Sequence, residues 1–156
     1  MGEITIRQPQ ARSIIPVSSD PSGFSRGTVH LEKAKLSRAE FRAVDARDST
    51  LDGADLNFAN LQSANLRNSH MKYVSMQNVD LSDADLNSVD LSGSDLLDAV
   101  LDRADLRFAN VGDIDWKGIK SIKGANVFGI RNAPAGFSVW AKDNGAVEIE
   151  NDAPDH

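Results

Sequence analysis

The sequence predicts an all-β solenoid, in which short extended segments of five residues are wound into stacked coils. Three observations predict it. From Leu31 to Trp116 every fifth position is apolar and, but for Ala46, large: twelve leucines with Phe41, Met71, Met76, Val111 and Trp116 make up the other seventeen of eighteen. Two residues before each stands a smaller one: Ala nine times, Val five times, Ser three times and Ile once, at Ile114. No charged residue enters any of these thirty-six slots, although 26% of the chain is charged. A period of five matches neither the helical repeat near 3.6 nor the strand repeat of 2.

The stretch "ADLNFANLQSANL" (54–66) carries the pattern plainly. With the large residue numbered i, positions i−2 and i must point inward while i−1, i+1 and i+2 point out. An inward pair followed by a reversal is a short extended segment and then a corner. Five residues make one side, and several sides close a coil on which the next can stack at the ~4.8 Å strand spacing. A narrow interior explains why i−2 stays small while i fills the axis, a ladder that includes Leu36, Leu56, Leu61, Leu66, Leu81, Leu86, Leu96 and Leu106. For residues 30–44, "HLEKAKLSRAEFRAV", helix-favouring Glu, Lys, Ala and Arg offer an alternative. The pairs Ala34/Leu36 and Ala39/Phe41 keep the five-residue phase and decide for the coil.

The repeat has two flanks. Residues 1–28 hold Pro9, Pro16, Pro21 and three serines within 18–22, and no repeat. "ITI" and "SIIPV" could pair as short strands, but a partly flexible arm is expected. The solenoid is expected over 29–117, and a C-terminal cap over 118–156, with Ala125/Val127 a shifted echo of the repeat. Within the cap, "FSVWAKDNGAVEIE" (137–150) places Asn144-Gly145 between two β-prone runs, which predicts a β-hairpin. The tail "NDAPDH" is expected to be disordered, and Phe137 with Trp140 is a candidate terminal interface for a dimer.

The run A(D/N)LXX, as in "ADLNF", "ANLQS", "ANLRN", "ADLNS" and "ADLRF", resembles the pentapeptide-repeat proteins over residues 29–117. That resemblance implies a right-handed quadrilateral parallel β-helix with four pentapeptides per coil, hence about four and a half coils. It also implies that equivalent outward positions stack every twenty residues. Asp45, Asn65, Asp85 and Asp105 then form one column, and Arg47, Arg67, Asn87 and Arg107 another beside it. Stacked like charges repel, and an arginine ladder next to an aspartate ladder relieves this.

Reaction chemistry is not legible. His30, His70 and His156 are scattered without metal-ligand spacing, and Ser82, Ser88 and Ser92 have no histidine partner in reach. The acidic stretch lacks both the EF-hand loop and the glycine-rich nonapeptide of calcium-binding β-rolls. Phosphate loops and dinucleotide fingerprints are missing as well. A non-enzyme without cofactor or metal is expected. The net charge of −6 argues against direct nucleic-acid binding and against anionic membranes. The lack of cysteine excludes disulfides and thiolate metal sites and leaves the redox compartment open; with no membrane-length apolar run and no signal-like start in "MGEITIRQPQ", a cytoplasmic protein is expected.

One further feature concerns charge. From Tyr73 to Asp102 there is no Lys or Arg, while Asp80, Asp83, Asp85, Asp90, Asp95, Asp98 and Asp102 contribute −7. Residues 29–72 carry six acidic and seven basic side chains. The band is a candidate surface for a basic partner, or simply the motif's preference for Asp at i−1. Two functions follow. A rigid rod that docks a protein partner through its faces or termini is favoured, since the arm and the hairpin are not needed by the repeat. The alternative, implied by the resemblance, is an acidic mimic of DNA that binds a type II topoisomerase such as DNA gyrase, and inhibits or protects it. The Leu-rich centres, the absence of an insertion loop and the banding of the acidity weigh against it.

Overall fold

The computed structural model describes residues 29–150; the expected arm (1–28) and the tail 151–156 lie outside the described residues. Parallel bridges join each i−1 residue to the one twenty positions on, so four pentapeptides close one circuit. Four columns result. Side I carries His30, Thr50, His70, Asp90 and Asn110; side II carries Lys35, Asp55, Ser75 and Asp95. Side III carries Glu40, Asn60, Asp80 and Val100, and side IV carries Asp45, Asn65, Asp85 and Asp105.

Most pentapeptides are held the same way. Leu56 N–H donates to Ser75 O at 2.8 Å, Phe58 N–H to Gln77 O at 2.8 Å, and Ser75 N–H returns to Ala54 O at 3.0 Å. The corner closes on itself through Ala59 N–H to Leu56 O at 3.0 Å. The third corner residue, i+2, has φ between 54° and 70° at every fifth position from Lys33 to Asp113. That is the left-handed value of a type II turn, a position that favours glycine. Here glycine fills it only at Gly53 and Gly93 in that series. The interior is the predicted ladder: the eight leucines named above are at most 2% exposed, and Ala34, Ala54, Ala64 and Ala104 are buried beside them. Residues 30–44 follow the coil, not the helical alternative.

Two interior slots hold serines that open a corner. Ser94 Oγ donates to Met71 O at 2.7 Å and accepts Val74 N–H at 3.0 Å, so a hydroxyl from the next coil stands in the turn at 71–74. Ser69 Oγ likewise donates to Ala46 O, at 2.8 Å. No buried side-chain polar atom of the described residues is left without a partner.

The ladder does not stop at residue 117, where the repeat was expected to end. It changes register by one: Val100 pairs with Ser121, Asp105 with Asn126 and Asn110 with Arg131. Trp116–Gly118 form a 3-10 turn in place of a regular corner. Just beyond it, Lys120 and Ser121 both donate to Ala99 O, at 2.9 and 3.4 Å, two residues facing one as in a β-bulge. Ile119 and Lys120 keep the inward and outward slots of the regular phase, and the extra residue, Ser121, delays the axial residue to Ile122. Ile122 and the pair Ala125/Val127 then continue the buried ladder, so the shifted echo is a further part of the coil.

The C-terminal hairpin is corrected to a helix, α1 (Phe137–Asp143). Alternation would have buried Val139, which is 66% exposed; the four-residue step buries Phe137 and Ala141 instead. Gly136 enters the helix at φ 85°, which β-branched or large residues tolerate poorly. Phe137, Trp140 and Trp116 form one aromatic cluster, with centroids 5.4 to 6.2 Å apart, and this packing outweighs the β-propensity of the segment. Asn144-Gly145 is therefore the helix terminus: Asn144 N–H donates to Trp140 O and Gly145 takes φ 92°. The second half of the expected hairpin runs parallel, with Val147 bridging Asn126 as one more rung on side IV.

Candidate interaction surface

With the interior filled by side chains, only the four sides, their corners and the ends are available for chemistry. Among the described residues no three His, Asp or Glu side chains are grouped as metal ligands, and no helix is long and apolar enough to cross a membrane.

Side IV holds the two charge columns. Asp45, Asn65, Asp85 and Asp105 stack in one. Arg47 donates from Nε and Nη2 to Asp45 at 2.8 and 2.6 Å, and Arg107 donates to Asp105 at 2.6 to 3.1 Å. Arg67 reaches one coil onward to Asp85 at 3.5 Å. Burial pushes the Asp105 carboxyl up, but the hydrogen bonds and charge of Arg107 outweigh it and hold the group below its usual range. Hydrogen bonding to Asp45, and then its charge, raises the Arg47 guanidinium. This side is an internally neutralised ladder.

The acidic band is not a face. Asp90 lies on side I, Asp95 on side II, Asp80 and Asp102 on side III and Asp85 on side IV, while Asp83 and Asp98 occupy corners. It is a girdle around the rod. Most members are engaged locally. Arg103 grips Asp83 at 2.7 and 2.8 Å and lowers its carboxyl chiefly by hydrogen bonding. Asp90 pairs with Lys72 at 3.5 Å and accepts Ser92 O–H at 2.6 Å. For Asp90 and for Asp80 partial burial raises the carboxyl, yet the serine hydroxyl and amide that follow prevail, and both sit below the ordinary range. Asp102 accepts Ser121 O–H and Lys123 N–H. Phe137, offered as a terminal interface, is 1% exposed inside the cap, and Trp140 is half-buried against Trp116.

Large apolar residues in outward slots escaped the reading of the sequence. Phe58, Tyr73 and Phe108 stand at i+2 and Leu97 at i+1, and all four are exposed. The signal was present, because the five-residue phase assigns each of them outward. Tyr73 lies over Gly93, Phe108 over Gly129 and Leu97 over Gly118. A glycine one coil further on is the mark of a large side chain lying flat.

A narrow β-helical solenoid with a side-chain-filled interior and polar outer columns defines the class. Residues 27–101 match the family model of the pentapeptide repeat region, and that stretch is a pentapeptide-repeat region. The chain is similar to HetL, a pentapeptide repeat protein involved in heterocyst differentiation regulation from the cyanobacterium Nostoc sp. strain PCC 7120. The likeness has a TM-score of 0.58 and 29% identity, and covers 64% of this chain and 49% of HetL. The pentapeptide repeat protein Rfr23 from the cyanobacterium Cyanothece 51142 matches with a TM-score of 0.47 and 23% identity, over 66% of this chain and 85% of that one. QnrB1, a plasmid-mediated fluoroquinolone resistance protein, matches with a TM-score of 0.38 and 15% identity, over 65% of this chain and 62% of its own. No curated protein matches this sequence.

Proposed function

We propose that this chain is a non-enzymatic interaction module of the cytoplasm, a rigid right-handed β-helical rod that docks a protein partner. The observation that carries the reading is the disposition of charge. Seven aspartates girdle the rod on all four sides, and hydrogen bonds or ion pairs within the rod engage all of them but Asp98. A mimic of duplex DNA needs two continuous rows of unneutralised charge. The side with the regular aspartate column here carries an arginine for each aspartate. About five coils at the ~4.8 Å strand spacing give a rod of roughly 24 Å, which is short for a DNA-binding saddle.

A supercoiling assay with purified DNA gyrase separates the two readings. Wild type and a variant with Asp83, Asp85, Asp90 and Asp95 replaced by Asn should both leave supercoiling unchanged at tens of micromolar, with and without a quinolone. Inhibition or protection by wild type that disappears in the variant would replace the module reading by the mimic reading.

A further inference from the structure

We infer that side II is the docking face, and that its partner is a protein surface with aliphatic or aromatic side chains flanked by Lys or Arg. The inference rests on the module reading and names the face and the chemistry it would use. Of the exposed large apolar side chains, Tyr73, Phe58 and Leu97 surround this one side, on three successive coils. Tyr73 occupies the corner that leads into it, Leu97 the i+1 column and Phe58 the corner that leaves it.

Two of the three are held in place. A Cβ on Gly93 would lie 2.5 Å from the Tyr73 ring, and one on Gly118 would lie 2.8 Å from Leu97 Cδ1, so both side chains are laid flat on glycine. Tyr73 remains 74% exposed in that pose. Arg38 stacks on Phe58 with its guanidinium carbon 5.1 Å from the ring centroid. An aromatic side chain already confined in the free protein loses little rotamer entropy on binding, and tyrosine is enriched among the residues that dominate interfaces.

The floor between them is hydrogen-bonded and carries one carboxylate, Asp55, which accepts Asn57 N–H at 3.0 Å. Ser75 Oγ and Gln77 N–H both donate to Asn57 Oδ1 at 2.8 Å, and Gln77 Nε2 donates to Asp95 at 2.7 Å. Charge at the far edge sets the partner's sign. Asp95 and Asp98 flank Leu97 and, like Asp80 and Asp102 on side III, have no ion pair among the described residues, whereas Asp83, Asp85 and Asp90 are paired. Lys117, in the 3-10 turn next to Gly118, stands 5.8 Å from the Trp116 ring. Two unneutralised carboxylates disfavour phosphate and anionic lipid, and they complement a cationic side chain set beside an apolar one.

The test places a photo-cross-linking benzoylphenylalanine at one exposed position per side of the full-length chain: His70, Asn78, Ser63 and Asn68 for sides I to IV. After irradiation in extract of the native cells, the attached protein is identified and purified, and its Kd is measured by calorimetry. The expected result is attachment through Asn78, with binding weakened 10- to 100-fold by Tyr73→Ala. The double variant Asp95→Asn/Asp98→Asn should weaken binding about 3- to 10-fold and flatten its salt dependence. Circular dichroism of each variant checks that the fold persists. Attachment through the other sides, or a partner whose affinity changes less than twofold in Tyr73→Ala, overturns the face and leaves the module reading standing. No attachment from any side overturns both.

Discussion

Ser94→Ala removes a single oxygen, and the structure gives its consequence. The hydroxyl is 2% exposed and stands between Met71 O and Val74 N–H, at 2.7 and 3.0 Å, in place of the direct bond that closes the neighbouring corners. Without it a buried acceptor and a buried donor are both orphaned, at about 1–3 kcal/mol each before relaxation. The corner can recover part of this by drawing Val74 N–H onto Met71 O, as Val79 N–H binds Met76 O at 3.3 Å. A net loss of about 2 kcal/mol is expected. Urea unfolding followed by circular dichroism reads the loss. Amide hydrogen exchange reads its location, and Val74 N–H should lose protection while Leu56 N–H keeps it. A change under 0.5 kcal/mol with Val74 still protected would show that the corner closes unaided, and the hydroxyl would then have no role in holding it.

Leu61→Asp puts a carboxylate on the axis at a site that is 2% exposed, costing several kcal/mol, and should abolish the cooperative melt; a wild-type melting curve would disprove the inward assignment. Gly93→Ala adds a Cβ 2.5 Å from the Tyr73 ring and strains a φ of 70°, for an expected loss of about 1–3 kcal/mol. A double-mutant cycle with Tyr73→Ala should recover the steric part and leave the backbone part. Asp80, Asp90 and Asp105 are held below the usual carboxylate value of 3.8. Their stabilisation is therefore complete above that pH and lost as pH falls through the folded values. The melting temperature should be level from pH 7 to about 4.5 and then decline, less steeply in Asp105→Asn. Trp116→Ala should loosen α1 from the end of the rod and blue-shift no further than wild type the emission of Trp140, whose fluorescence instead moves to the red; an unmoved spectrum would mean that Trp116 does not shield it.

Nearly all of the coil was legible, because inward slots admit one kind of residue and outward slots another. Leu56 and Ala54 announce themselves by what their neighbours are not. The end of the repeat was hidden by a single residue: Trp116 occupies a slot in phase, yet it leaves the axis for the cap, and after Ile119, still in phase, Ile122 enters one step late. No local preference distinguishes that bulge from a terminus. The cap was misread because Phe137, Val139 and Ala141 alternate as well as any strand, and only contact with Trp116 selects the helical step. The proposed docking face was partly legible. The phase placed Tyr73 and Phe58 outside, but the glycine beneath Tyr73 becomes visible only when residues twenty apart are read side by side.

Contacts at a separation of twenty or twenty-one residues have a mechanical consequence. Each circuit is bound only to the circuits before and after it, so force applied at one end loads a single set of rungs. The rod should peel one coil at a time, releasing about 65–70 Å of chain at each step. Resistance at any moment is then set by the coil at the fork, not by the length behind it. The bulged coil, with its one irregular rung, is where such a peel from the C-terminal end would first meet the regular lattice.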